Sequence, residues 1–296
     1  MGKHVTLPAL AVAGGLAAFV LRRWQLASAY DAETQLFRSG SPATYALVGL
    51  VAVLALIFLP AVRKKGERPR DFLPAFHCPS PLFMAGMAIS AFLFLGAGVL
   101  TLMEGMDQFT LWRTDPSSAP LTYPVSLLLC GLLCFPAGIG TLITGRGCYR
   151  RDLPPAASLL ALFPPMTALV WLFASHLVHG TDPALLGYGF MLAAVAAMLM
   201  ALYYAAAFFH SCPYPARTAF FALLGIVLGL LSLADAPAPF HLALTGACLF
   251  SCLSYVCALL RNLFGPPWPE RMPSGAQEEQ ELDEPYQDER RSSDDD

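Results

Sequence analysis

Charge is what this chain has least of. Asp, Glu, Lys and Arg make up 13% of its 296 residues, against about 25% in an ordinary soluble domain. No Asp, Glu, Lys, Arg or His falls near the middle of any of its long apolar stretches. An ionisable residue at that depth marks a proton relay, an ion path or a voltage sensor, so its absence argues against proton-coupled transport and voltage sensing. Nucleotide, hydrolase and zincin signatures are missing as well: there is no G-x-x-x-x-G-K-[ST], no G-x-S-x-G and no H-E-x-x-H. The strongly basic surface that nucleic-acid binding requires is also lacking.

What is present is apolar. Hydrophobic residues reach 56% and the mean hydropathy is +0.56. A hydrocarbon core about 30 Å thick is crossed by about 20 apolar residues of helix, and the sequence supplies eight such stretches, at 5–21, 43–62, 81–103, 121–144, 155–178, 184–209, 216–234 and 239–260. Lipid offers backbone N–H and C=O groups no partner, so each span must close its own hydrogen bonds as a helix. The expected fold is an all-α integral membrane bundle of eight helices, with residues 1–268 as the transmembrane domain.

Lys and Arg set the orientation, because they collect on the cytoplasmic side of short loops. With the N-terminus inside, that side gathers Lys3, Arg63, Lys64, Lys65, Arg68, Arg70, Arg146, Arg150, Arg151, Arg217 and Arg261. The other side holds only Arg22, Arg23, Arg38 and Arg113. Both termini are then cytoplasmic. Arg22 and Arg23 stand at the outer end of a short first span and are expected to snorkel toward headgroups. That span has some look of a signal peptide, with Ala27-Ser28-Ala29 behind it, but two arginines before the putative cut favour a retained helix. None of the eight cysteines falls in an outer loop, so they form no disulfide framework.

After Pro266-Pro267 the character changes. Residues 270–296 hold eleven acids against Arg271, Arg290 and Arg291, so this segment carries about −8 of the net −3 and the rest about +5. With little to bury, residues 269–296 read as an acidic disordered cytoplasmic tail.

Weak internal similarity runs through the spans. Phe76-His77-Cys78-Pro79-Ser80-Pro81 opens the third, Phe209-His210-Ser211-Cys212-Pro213-Tyr214-Pro215 the seventh, and Cys148 with Pro154-Pro155 the fifth. These strings suggest four helical hairpins of one orientation. Proline favours the first helical turn for local reasons, so convergent helix starts would produce the same strings.

Inside the spans, Pro136, Pro164 and Pro165 remove helical hydrogen bonds and should bend the fourth and fifth helices. Kinks serve packing in many membrane helices, and broken helices also build transport sites. Gly225 and Gly229 form a G-x-x-x-G spacing, and Ala193, Ala194, Ala196 and Ala197 thin the sixth helix. Such faces let helices approach, within one chain or in a homo-oligomer. Cys130/Cys134 and Cys248/Cys252 share helix faces at i, i+4, where buried cysteine acts mostly as a small hydrophobe. His77 with Cys78 and His210 with Cys212 lack the spacing of a zinc site.

On the outer side, His176, His179 and Asp182 follow at i, i+3, i+6, and Asp235 and His241 flank the last turn. Gathered together they would suit a divalent metal or general acid–base work. Polar residues also collect there simply because they must leave the hydrocarbon. No cofactor is implied.

Leu21-Arg22-Arg23-Trp24-Gln25-Leu26, Ala29-Tyr30-Asp31-Ala32-Glu33-Thr34-Gln35-Leu36 and Ser41-Pro42-Ala43-Thr44 resemble an uncharacterised group of bacterial polytopic membrane proteins. The resemblance covers the first hairpin only. It implies a multi-pass protein of the bacterial cytoplasmic membrane and no particular activity. Within this stretch Trp24 and Tyr30 read as interfacial anchors, and Arg22 or Arg23 is expected to pair with Asp31 or Glu33.

Three functions follow. The lack of catalytic motifs and the acidic tail favour a non-enzymatic accessory or sensory component with a protein partner. The kinked helices allow a permease for a neutral or weakly polar solute, with a cavity beside Pro136 and Pro164. The outer histidines and carboxylates allow a membrane enzyme or metal site.

Overall fold

The computed structural model describes residues 2–31, 36–38, 40–63, 69, 71–116, 120–179, 185–266 and 268. Asp182, Glu33 and the segment 269–296 lie outside these residues, as does the side chain of His179. The chain runs α1 (Lys3–Ser28), β1 (Tyr30–Asp31), β2 (Leu36–Phe37), α2 (Pro42–Ala61), α3 (Phe72–Phe76), α4 (Pro81–Thr114), α5 (Thr122–Arg150), α6 (Ala157–Leu160), α7 (Phe163–His179), α8 (Leu185–Ala207), α9 (Pro215–Ser232) and α10 (Pro239–Phe264). Short 3-10 turns, Phe208–His210 and Leu233–Asp235, close α8 and α9. Eight helices are long and apolar enough to cross a membrane, at the eight places expected. β1 and β2 pair antiparallel, Tyr30 opposite Phe37 and Asp31 opposite Leu36.

Several helices outrun their apolar stretches. α1 continues through Arg22 to Ser28, and α4 continues through Glu104 and Asp107 to Thr114. At about 1.5 Å per residue, the 34 residues of α4 are considerably longer than a hydrocarbon core of about 30 Å. A polar residue ends a hydrophobic run, but it does not end a ladder of backbone hydrogen bonds. Pro42, Pro81, Pro215 and Pro239 open α2, α4, α9 and α10 in the first turn, where the missing N–H is not needed.

The fifth span is broken rather than bent. α6 ends at Leu160, a turn intervenes at 161–162, and α7 starts at Phe163 with Pro164 and Pro165 in its first turn. In a continuous helix the carbonyls of Leu160 and Ala161 would bond the N–H groups of residues 164 and 165, which proline lacks. The break lies against Gly140 of α5, where a Cβ would stand 2.6 Å from the Leu160 carbonyl oxygen. Pro136, in contrast, sits inside α5, which runs on through it.

Of the long apolar helices, α9 is the most enclosed, with 67% of its apolar window buried, and α2 the least, with 22%. α9 packs on α8, α1, α10 and α2, while α10 also packs on α4. The most extensive helix–helix contact is that of α4 with α5. Its seam is two tracks of small residues at seven-residue spacing, Ala91, Gly98 and Gly105 on α4 and Gly131, Gly138 and Gly145 on α5. A Cβ at Gly98 would lie 3.1 Å from the Gly131 carbonyl oxygen, one at Gly131 3.1 Å from that of Gly98, and one at Gly138 2.8 Å from that of Ala91. A seven-residue repeat keeps the seam facing its partner through a left-handed supercoil, and small residues let the backbones close in where lipid gives no hydrophobic drive. Across the other face of α4, the Ser90 hydroxyl donates to the Ala247 carbonyl at 2.7 Å and pairs with Ser251 at 2.6 Å, both on α10.

Gly225 and Gly229 also work within the chain. Gly225 meets Met198 of α8 and Gly229 meets Leu249 of α10. Ala194 and Ala197 are buried and Ala193 is exposed, so most of these small-residue faces are already covered by neighbouring helices. Cys130, Cys134, Cys248 and Cys252 are fully buried, and the Cys130 thiol leans toward the Thr167 carbonyl at 3.8 Å.

Candidate functional site

Two polar clusters stand at the end of the bundle where α1 finishes and α10 begins. The first is built on α1. Its buried residues, Leu7, Pro8, Ala11, Gly14, Gly15, Ala18, Arg22 and Gln25, recur at helical spacing. The small ones bring α1 against Leu54 of α2 and Leu230 of α9. Because Arg22 and Gln25 continue the same stripe, that close approach carries them into the protein interior.

Arg22 is fully buried. Its Nε donates to Asp235 Oδ1 at 2.7 Å, Nη1 to Gln25 Oε1 at 2.8 Å and Nη2 to the Gly187 carbonyl at 3.3 Å. The guanidinium also lies over the rings of Phe37 and Phe190, at 5.3 and 5.2 Å. Gln25 Nε2 passes the chain on to Thr44 Oγ1 at 2.7 Å. One side chain thus ties α1 to the end of α9, the start of α8 and, through Gln25, α2. A buried charge is stable only when paired and hydrogen-bonded, and the planar fork of arginine serves several acceptors while stacking on aromatic faces. Asp235 closes the 3-10 turn after α9, just before Ala236 turns the backbone at φ 50°. Its side chain is 20% exposed, and its Oδ2 is buried without a partner among the described residues.

This corrects the expectation for Arg22. It reaches inward to Asp235 instead of outward or to Asp31, and Glu33 lies outside the described residues. Arg23 sits on the exposed side of the helix, its Nη1 3.5 Å from the Ala234 carbonyl. Trp24 is half exposed.

The second cluster joins α5, α7 and α10. Trp171, fully buried on α7, donates its indole N–H to His241 Nδ1 at 2.8 Å. A ring nitrogen that accepts is unprotonated, so the imidazole carries its proton on Nε2. One turn beyond Trp171, Ser175 faces a cavity of about 20 Å³ shared with Tyr123, Leu127, Val178, Phe240 and His241. A serine beside a histidine invites a nucleophilic reading, in which the imidazole takes the hydroxyl proton. Here the ring's accepting nitrogen is already occupied by Trp171, and the other is a donor.

The structure therefore divides the expected outer-face group. Asp235 belongs to Arg22 and His241 to Trp171, while His176 lies on the exposed side of α7. His179 ends α7, and Asp182 is outside the described residues. Among the described residues no three His, Cys, Asp or Glu side chains are grouped to hold a metal ion.

At the opposite end, α3 is tucked into the bundle. Phe72 stacks on Phe209 at 4.0 Å, and Phe76 meets Phe208 and Tyr255 edge-on. Asn262 of α10 donates to the carbonyls of Ala75 and His77, both at 2.9 Å. His77 Nδ1 and the Cys78 N–H both approach the Cys148 carbonyl, at 2.7 and 3.2 Å. His77 and Cys78 thus anchor α3 to the end of α5. Sequence periodicity gave no hint of this five-residue helix. No family model, curated protein or solved structure matches the chain.

Proposed function

We propose that this chain is a multi-pass protein of the bacterial cytoplasmic membrane, with both termini inside, acting as a non-enzymatic accessory or sensory component. Its eight apolar helices support membrane residence. The Lys and Arg distribution supports the orientation, which puts the Arg22 cluster on the outer side and α3 on the inner. The four hairpins are α1–α2, α4–α5, the broken α6/α7 with α8, and α9–α10, each with its two helices in contact.

The observation that carries the reading is how the buried polar groups are used. Arg22, Gln25, Thr44 and Asp235 are spent on one another across helices, and so are Trp171 and His241. Groups committed in this way fix helices relative to each other. A catalytic site instead presents groups to a reacting molecule. Recognition then falls to surfaces, the acidic segment 269–296 foremost, with a basic face on a cytoplasmic protein as its complement.

Cross-linking in intact cells, followed by purification in mild detergent and mass spectrometry, tests the idea. A stoichiometric protein partner is expected, and deleting residues 269–296 should release it. Turnover of a substrate by the isolated chain would overturn the proposal. The broken fifth span favours one second reading, a permease for a neutral solute, which predicts uptake into proteoliposomes containing this chain alone.

A further inference from the structure

Ser175 is the polar group that neither cluster uses. It is buried at 4% exposure, and its Oγ has no hydrogen-bond partner among the described residues. Buried polar atoms in native proteins are nearly always satisfied, by protein or by ordered water. The hydroxyl faces the 20 Å³ cavity whose polar walls come from three helices, Tyr123 on α5, Ser175 on α7 and His241 on α10. A cavity needs about 10–15 Å³ to hold one water, and a retained water makes about three hydrogen bonds. This one is large enough for a single water. The tautomer set by Trp171 removes the nucleophilic use of the serine, leaving the pocket a hydrogen-bonding role.

We propose that the cavity is the site of one ordered water molecule, bonded to Ser175 Oγ and reaching the polar side chain of Tyr123. The water joins α5 and α7 where no direct side-chain bond from Ser175 does so. It also explains why a serine is tolerated at a buried position with apolar neighbours Ala174 and Leu127. The inference stands independently of the proposed function, since it rests on the cavity, the unpaired hydroxyl and the tautomer.

The test is a structure of the full chain in lipid nanodiscs or lipidic crystals, at a resolution that reveals waters, for the wild type and for Ser175→Ala. Crystals pressurised with xenon supply the second measurement, because xenon fills dry apolar cavities and does not displace a well-bonded water. The wild type should show one spherical density about 3 Å from Ser175 Oγ and no xenon. Ser175→Ala should lose that density or admit xenon, with the Trp171–His241 bond intact. A dry or xenon-filled wild-type cavity overturns the proposal. So does a Ser175 hydroxyl turned back onto the Trp171 carbonyl one turn earlier, as serines in helices often do, with the cavity empty beside it. Density too large for water overturns it as well. Because the wild-type map decides the matter, a misfolded variant leaves the test standing.

Discussion

Arg22→Met should be among the most damaging single substitutions in this fold. Methionine keeps the length and loses the charge, removing donors now 2.7, 2.8 and 3.3 Å from Asp235, Gln25 and Gly187. The larger effect falls on what stays behind. Asp235 is only 20% exposed and one of its oxygens already lacks a partner among the described residues, so its carboxylate would be left largely buried without its cation. Removing one partner of a buried ion pair costs about 3–5 kcal/mol; with Asp235 one-fifth exposed the lower half of that range applies. At about 1.4 kcal/mol per factor of ten, the folded-to-unfolded ratio falls on the order of a hundredfold to a thousandfold. Arg22→Met combined with Asp235→Leu removes both charges, and such apolar replacements are often neutral or stabilising. The double variant should therefore recover most of the loss, keeping a deficit of about 1 kcal/mol from the stranded Gln25–Thr44 end of the chain. Reversible unfolding of the purified full chain in bicelles, titrated with SDS, measures the wild type, Arg22→Met, Asp235→Leu and the double variant, the four corners of the cycle. Additive single effects, or an Arg22→Met cost below about 1 kcal/mol, would refute the account of Arg22 as a desolvated clamp.

Four further outcomes follow from the packing and the orientation. Gly138→Ala places a methyl group 2.8 Å from the Ala91 carbonyl oxygen, a backbone atom that cannot step aside, and should cost about 1–3 kcal/mol. Gly96→Ala meets nothing within 4 Å and should gain about 0.5–1 kcal/mol in the same titration. Asn262→Ala loses two bonds to the carbonyls holding α3 and should free that segment. Burial pushes the Cys78 thiol up, so its release should return the thiol toward its ordinary value and speed maleimide labelling. An unchanged labelling rate would mean that the aromatic contacts and the bonds to the Cys148 carbonyl hold α3 without Asn262. Finally, Cys212 is exposed at the start of α9. In a Cys257→Ser background a membrane-impermeant maleimide should label Cys212 in inside-out vesicles and not in right-side-out ones, and the reverse pattern would invert the topology.

The eight long apolar helices were legible because a run of about 20 apolar residues has few other uses. Helix ends were not, and Arg22 shows why. Read locally, an arginine after an apolar run is a stop, and its natural partners are the acids of the next turn. Its actual partner lies 213 residues on, a pairing made by tertiary packing. Yet Ala11, Gly15, Ala18, Arg22 and Gln25 already form one helical stripe, which would have placed the arginine on the buried face. The α4–α5 seam was equally readable as small residues seven apart. A search for G-x-x-x-G led instead to Gly225 and Gly229. Pro164 and Pro165 marked the broken span, but the break came before them, since proline fits a first turn better than a helix interior. The role of His241 depends on an indole from another helix, which neither spacing nor composition encodes.

The clamp on Arg22 also sets an order of events. A chain made from its N-terminus has Arg22 long before it has Asp235. At about 5–20 residues per second of synthesis, the 213 residues between them take on the order of 10–40 s. For that interval α1 carries a cation without its Asp235 partner, with Gly187 and Phe190 also still to be made. Its final seat beside α9 exists only once α9 is complete. A helix made early is therefore among the last to settle.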